Sequence, residues 1–237
     1  MTVRILKNEL QNIHSRKILR ERGLDFLESS LRKKLRTLLG SGEIAVGEAV
    51  KSWDVLETIS FVEKNIAPVE PVLDIGAYAS EIPCILHRLG YRNLYGVDMN
   101  PRVIDMPFGE HVRYVAGDFY SYSFPESFFA AITATSVIEH GLDARQLLSR
   151  LSRLLRPGGY FIASTDYWPD KIDTGDLRPF GMEWLIFSRG ELRQLLDQAA
   201  EAGLHPVGEA MDFDAGAPVV CWNGRRYTFA WFALQKT

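Results

Sequence analysis

The chain has 237 residues, 46% hydrophobic and 24% charged, enough to bury one sizeable core and unlike a disordered or fibrous polymer. Its net charge of −3 hides an asymmetry: residues 1–40 carry ten basic and four acidic side chains, hence +6, which leaves −9 for the remainder. Cys84 and Cys221 are too few for a disulfide framework and lack metal-ligand spacing, and no apolar run approaches the ~20 residues a membrane span requires.

A reducing cytoplasm is therefore the expected compartment, with no membrane partner. The basic head could meet nucleic acid or an anionic substrate. Its charges interleave with a regular apolar stripe, however, and a solvated helix face is the plainer meaning. In chain order, Leu6, Leu10 and Ile13 recur at helical spacing, as do Leu24, Leu27, Leu31, Leu35 and Leu38, with Gly23 between the two sets. Val46, Val50, Trp53 and Leu56 mark a further helix to about Ile66, stopped by Pro68 and Pro71. Residues 1–68 thus read as a helical extension, either a cap over a site or a surface for a homodimer, and 69–237 as the main domain.

That domain alternates strand and helix. Strands are expected at 71–76, 93–98, 112–116, 130–135 and 159–164, with helices at 80–89, 143–156 and 188–202 and a short one near 100–106. Such alternation means a mainly parallel sheet with right-handed crossovers. A sixth strand follows over about 204–213, and a last one, Tyr227 to Leu234, comes through the hairpin-type turn Asn223-Gly224. Ser80 is the candidate N-cap of the helix after the first strand. Arg156-Pro157-Gly158-Gly159 ends helix 143–156 and turns the chain into the next strand.

The first three of these strands each have a carboxylate at or just beyond the end: Asp74, Asp98 and Asp118. In open α/β sheets ligands bind at the carboxyl ends of the strands, and three acids there describe a pocket for a hydroxyl-bearing nucleoside. Asp98 could accept from both ribose hydroxyls, or cap the short helix near Pro101. Asp74 and Gly76 could face a cofactor, or Asp74 could simply fix the loop by accepting backbone N–H groups.

These residues resemble the class I S-adenosylmethionine-dependent methyltransferases. The stretch Asp74-Ile75-Gly76-Ala77-Tyr78-Ala79-Ser80 is similar to the family's acid-x-Gly-x-Gly-x-Gly motif with only the first glycine kept. Leu155-Arg156-Pro157-Gly158-Gly159 and Val137-Ile138-Glu139-His140 resemble two more of its motifs, while Tyr78, Ser80 and Ala130 depart from the pattern. The resemblance implies a Rossmann-like α/β sheet, mostly parallel, with an antiparallel C-terminal hairpin strand. It implies S-adenosyl-L-methionine as cofactor and S-adenosyl-L-homocysteine as product, bound by Asp74, Gly76, Ala77, Tyr78, Asp98, Met99, Asp118, Phe119, Thr135 and Ser136. Asp118 would accept from the adenine amino group, and Phe119 or Met99 would pack on the ring; loop capping and ordinary core are the alternatives.

His140 has the ordinary pKa of a general base near neutrality, or is a structural histidine bonded to a loop carbonyl. Asp166 and Tyr167, just beyond the fifth strand, could hold or deprotonate an acceptor hydroxyl. Beyond them, an aromatic-rich stretch from Tyr167 to Phe187 is expected to close over a small-molecule acceptor. Some relatives hold a metal with acids near this motif; Ser136 replaces one of them, so no metal is expected. The function implied is methyl transfer to a small molecule, at an oxygen of a sugar, glycan or natural-product intermediate. A methyltransferase-like binding protein without catalysis and an RNA methyltransferase are the rivals, the second unsupported by any RNA-binding module. A nicotinamide enzyme is disfavoured because Gly-x-Gly-x-x-Gly is missing.

Overall fold

A computed structural model describes residues 3–27, 44–141, 143–208 and 210–237. The strands are β1 (Val3–Ile5), β2 (Val72–Ile75), β3 (Leu94–Asp98), β4 (Val112–Ala116), β5 (Phe129–Thr135), β6 (Leu155–Tyr167), β7 (Leu204–Pro206), β8 (Val220–Trp222) and β9 (Arg225–Lys236). The α-helices among the described residues are α1 (Glu9–Glu21), α2 (Ser52–Asn65), α3 (Ile82–Arg88), α4 (Ala144–Leu154) and α5 (Arg189–Glu201). One sheet runs β1-β9-β6-β5-β2-β3-β4; β2 to β6 are mutually parallel, and β9 is antiparallel to β6. None of the helices is long and apolar enough to cross a membrane.

Alternation along the strands divides the core into two layers. Leu73, Ile75, Ile132, Ala134, Phe161 and Ala163 point to α4 and α5, where Leu147, Leu151, Leu192 and Leu196 receive them. Val72, Leu94, Ala131 and Ile162 point the other way, to Ile59, Val62, Ile82 and Ile85 of α2 and α3. Local signals fix the helix starts. Asp143 accepts from the Gln146 N–H, and Ser188 and Glu191 form a reciprocal capping box at α5. At α3 the cap position falls on Glu81, one residue later than expected, although the Ser80 hydroxyl still accepts from the Ile82 N–H at 3.2 Å.

The outer edge of the long strand β9 is closed by three short strands in succession. β7 pairs with residues 234–236, β1 with 230–232 and β8 with 225–227. The expected sixth strand over 204–213 is thus only its first three residues, because the N-terminal strand takes the next positions on the edge. Hence the extension is not separate from the sheet. The Asn223-Gly224 turn joins β8 to β9 as expected, with both residues at positive φ, 46° and 72°.

Helix α1 also departs from the expected apolar stripe. Leu10 and Ile13 are 74% and 56% exposed, and the buried face is Asn12, Ser15, Arg16 and Leu19. Its polar residues serve the start of α2: the Trp53 N–H donates to Asn12 Oδ1 at 2.9 Å, and Arg16 Nε donates to Ser52 Oγ at 2.9 Å. Leu31, Leu35 and Leu38 of the second expected helix lie outside the described residues, and Leu24 and Leu27 precede them in irregular chain.

Two further links tie the extension to the turn between β2 and α3. The Arg16 guanidinium donates to both oxygens of buried Glu81, at 2.8 and 2.7 Å, and the Gly47 N–H donates to the Ala79 carbonyl at 2.8 Å. Val46, Phe26 and Ile44 pack there against Ala77, Tyr78 and Met106. Residues from 44 onward therefore cross the turn that carries the glycine motif.

Candidate functional site

The site is built at the carboxyl ends of β2 to β6. Leaving β2, the chain turns at Gly76, whose φ is 74°; a Cβ there would lie 2.4 Å from a methyl of Val137. The first glycine of the motif thus lets the turn after β2 close against the turn after β5. Asp74, buried in β2, accepts from Thr133 Oγ1 at 2.5 Å, and burial raises its pKa to about 7. Tyr78, two residues past Gly76, packs beside Val46, Cys84 and Met106.

Asp98 closes β3 and accepts two backbone N–H groups, from Tyr78 to Oδ2 at 3.0 Å and from Asn100 to Oδ1 at 2.7 Å. It therefore fastens the turn after β2 to the end of β3. The short 3₁₀ helix Pro101–Asp105 is capped instead by Asn100, which accepts from the Arg102 N–H at 3.0 Å. Met99 beside it is exposed. Beyond β4, Asp118 accepts from the Tyr120 N–H at 3.0 Å, an Asx turn, while Phe119 is buried and its carbonyl accepts from Arg150 Nε at 3.3 Å.

Between β5 and β6 the polar groups are buried more deeply. Ser136 sits in the left-handed region, φ 51°, with its N–H donated to the Ser164 carbonyl at 3.1 Å. Ser164 Oγ donates in turn to Asp54 Oδ2 at 2.7 Å. Asp54 comes from the first turn of α2 and is wholly buried, which raises its pKa to about 7. Asp166 accepts from Trp184 Nε1 at 2.8 Å, and burial likewise holds its pKa near 7. Burial first and Asp166 second push Glu139 well above the usual carboxylate range. Four buried polar atoms here have no hydrogen-bond partner: Asp54 Oδ1, Thr135 Oγ1, Glu139 Oε1 and His140 Nδ1.

The half-buried His140 is neutral, because burial and then the nearby Lys51 ammonium lower its pKa to about 4. Segment 184–187 runs between the strand ends, bridging Trp184 to His140 and Phe187 to Tyr167. The aromatic stretch expected to be a lid is thus anchored by buried Trp184, Ile186 and Phe187, with Phe180 left exposed. Tyr167, expected beside the acceptor, lies on the α4/α5 side of β6 and donates its hydroxyl to the Phe213 carbonyl at 2.6 Å. Asp166 faces the other way, because adjacent strand residues point to opposite faces.

Asp54 was not foreseen. The available signal was an acid and a threonine, Asp54 and Thr58, one turn apart and both buried on the same face of α2. The raised pKa gives a test. A buried acid whose folded pKa exceeds its unfolded value binds more protons when folded, so stability is fullest below about pH 4 and falls as pH rises towards 7. In thermal melts between pH 5 and pH 8, Asp54→Asn should lose less stability than the parent, by about 2–3 kcal/mol. Parallel pH curves for the two proteins would refute this account of Asp54.

Residues 73–163 match the methyltransferase domain family. A sterol 24-C-methyltransferase of Yarrowia lipolytica is 30% identical over 105 residues, 41% of this chain and 28% of that protein, so the chain spans well under half the length of this curated relative. A Burkholderia thailandensis 1,6-didemethyltoxoflavin-N1-methyltransferase, solved with 1,6-didemethyltoxoflavin and S-adenosylhomocysteine, shares the fold at 19% identity and a TM-score of 0.55, covering 78% of each chain. The geranyl diphosphate C-methyltransferase of Streptomyces coelicolor A3(2) shares it at 18% identity and a TM-score of 0.53, over 85% of this chain and 89% of that one. Residues 73–163 thus match a methyltransferase domain, and the sheet that carries them has the Rossmann-like fold of the class I S-adenosylmethionine-dependent methyltransferases.

Proposed function

We propose that the chain transfers a methyl group from S-adenosylmethionine to a hydroxyl-bearing small molecule. The observation that carries this reading is the set of buried, unpartnered polar atoms on Asp54, Thr135, Glu139 and His140, gathered where β5 and β6 end. Unpaired buried polar groups cost about 1–3 kcal/mol each, and a polar ligand at the strand ends would relieve that cost.

The residues fit the nucleoside cofactor. Each oxygen of Asp98 accepts one backbone N–H and keeps acceptor capacity for a ribose hydroxyl. Asp74, Gly76, Ala77 and Tyr78 would line the turn beside the amino-acid end, Met99, Asp118 and Phe119 the adenine side, and Thr135 and Ser136 the donor end. S-adenosylmethionine supplies, when bound, a methyl group already made electrophilic by its sulfonium. The protein then has to align the acceptor, which is worth ~7–11 kcal/mol of barrier, and remove a proton. Neutral His140 would be the base: as the acceptor oxygen bonds the methyl carbon, that carbon's bond to sulfur breaks with its electron pair staying on sulfur, and a ring nitrogen takes the hydroxyl proton. Asp166, near neutrality in pKa and held by Trp184, is the second group able to accept it.

Calorimetry with S-adenosylhomocysteine tests the cofactor half; no heat at millimolar ligand would end the proposal. A family member that binds without catalysis would give that heat and no homocysteine product across a panel of acceptors. For the base, His140→Gln should lower kcat about 100-fold and leave S-adenosylhomocysteine affinity unchanged. Because the folded pKa is depressed, the imidazole stays neutral down to about pH 4, so its proton resonances should titrate well below 6.5. A midpoint at 6.5 or above would contradict the buried environment described here.

A further inference from the structure

Asp54 reaches the strand ends from the N-terminal extension, and the hydrogen bonds around it run in one direction. At the turn after β5 the Ser136 N–H donates to the Ser164 carbonyl at 3.1 Å and also to Ser164 Oγ at 3.2 Å. A hydroxyl that accepts there still has its own proton to place. Asp54 Oδ2 takes it at 2.7 Å, and the Ser136 hydroxyl faces the same oxygen at 3.5 Å. Asp54 and Ser164 are both wholly buried, so their bond does not compete with bulk water. An acid in the first turn of a helix often serves only the helix dipole. That service needs no burial, whereas Asp54 is buried and gives Oδ2 to β6.

What these bonds hold is a strained turn. Ser136 lies at φ 51°, in the left-handed region that residues other than glycine rarely adopt. Its neighbour Val137 places a methyl where a Cβ on Gly76 would fall, 2.4 Å from it. The turn after β5 therefore abuts the glycine-motif turn, and a shift in one is felt by the other. In the proposed function the first lies at the donor end of the cofactor and the second beside its amino-acid end. Helix α2 is a firm base for Asp54, since Arg16 and Asn12 hold its first two residues, Ser52 and Trp53.

We infer that Asp54 is a positioning residue for methyl transfer, which through Ser164 holds Ser136 in the conformation that receives the donor end of the cofactor. Its purpose rests on the proposed function, but the relay from Asp54 through Ser164 to Ser136 is tested without any ligand. The role needs an acceptor oxygen rather than a charge; asparagine supplies one and alanine does not. Native-state amide exchange reads the relay, with Ile132 in the middle of β5 reporting general opening. Relative to Ile132, the Ser136 amide should exchange about tenfold faster in Asp54→Ala and in Ser164→Ala, and within about twofold of the parent in Asp54→Asn. Ser164→Ala removes a single buried oxygen, so it keeps the relay testable even if Asp54→Ala folds poorly.

Isothermal titration reads the purpose. Asp54→Ala and Ser164→Ala should each weaken S-adenosylhomocysteine about tenfold, but adenosine, which lacks the donor end, by less than about threefold. Asp54→Asn should bind both ligands as the parent does. Combining Asp54→Ala with Ser164→Ala should be no worse than either alone, because the two act in series. Asparagine as damaging as alanine, additive losses in the double variant, equal acceleration of Ile132 and Ser136, or unchanged S-adenosylhomocysteine affinity throughout would each overturn the positioning role. No S-adenosylhomocysteine heat from the parent, with the exchange pattern as expected, would instead leave the relay standing and remove the methyl-transfer reading.

Discussion

Asp98→Ala should weaken S-adenosylhomocysteine binding by about 100-fold or more in isothermal titration. Hydrogen bonds to a charged group contribute about 1.5–3 kcal/mol each, and the substitution removes two kinds at once. One kind is internal: the Tyr78 and Asn100 N–H groups lose the carboxylate that fixes the turn after β2 against the end of β3. The other is the pair of ribose contacts assigned to the same oxygens. Asp98→Asn separates them, because an amide has one acceptor oxygen where the carboxylate has two. It should hold one of the two backbone N–H groups and fall between alanine and the parent. If alanine at 98 bound the nucleoside as tightly as aspartate does, the cofactor could not lie across β2 and β3 as proposed.

Arg16→Ala should cost about 3–5 kcal/mol, a fall of roughly 10 °C in melting temperature for a chain of this size. Arg16 makes two charge-assisted bonds to Glu81, whose side chain is 1% exposed, and a third to Asp25 at 3.1 Å. With the guanidinium gone, the Glu81 carboxylate stays buried beside the Phe26 N–H at 3.3 Å and no longer faces a cation across that contact. Truncating one member of such a pair is far worse than removing both, so Arg16→Ala combined with Glu81→Ala should recover part of the loss. A shift under about 1 kcal/mol for the single variant would mean that water replaces the arginine at little cost. Because Glu81 starts α3 directly after the glycine-motif turn, the single variant should also loosen cofactor binding.

What could be read in the chain was whatever depends on neighbours in sequence. The strands β2 to β5 are continuous or alternating apolar runs, and each ends at a glycine, an acid or a turn that sequence displays, so their extents came through. Asn223-Gly224 specified its hairpin for the same reason. Pairing over long distance did not: nothing in Val3-Arg4-Ile5 says that these residues will lie beside Phe232, Trp231 and Ala230. Nor did the extent of β6, expected over 159–164: it runs Leu155–Tyr167 and takes in both the Arg156-Pro157-Gly158-Gly159 stretch expected as a turn and Asp166 and Tyr167 expected beyond it. The buried polar face of α1 was hidden too, since its partners are the start of α2 and Glu81, which lie more than thirty residues further along. Asp74, Asp98 and Asp118 were visible because strand ends announce themselves. Asp54 was not, because it reaches the site from a segment with no motif. Tyr167 failed by one residue, the interval that sends neighbouring side chains of a strand to opposite faces.

The patched margin of β9 has a kinetic consequence. β1 is made before the other strands of the sheet, yet it has nothing to pair with until β9 follows; the Thr228 hydroxyl reaches the Leu6 carbonyl across 222 positions of sequence. Contacts of such separation slow folding, because a very large loop must close before they reward it. Until then the flank of β6 that β9 will cover is an unpaired strand edge. Nascent or C-terminally clipped chains should therefore be the aggregating species, while the finished protein, once sewn shut, should not be.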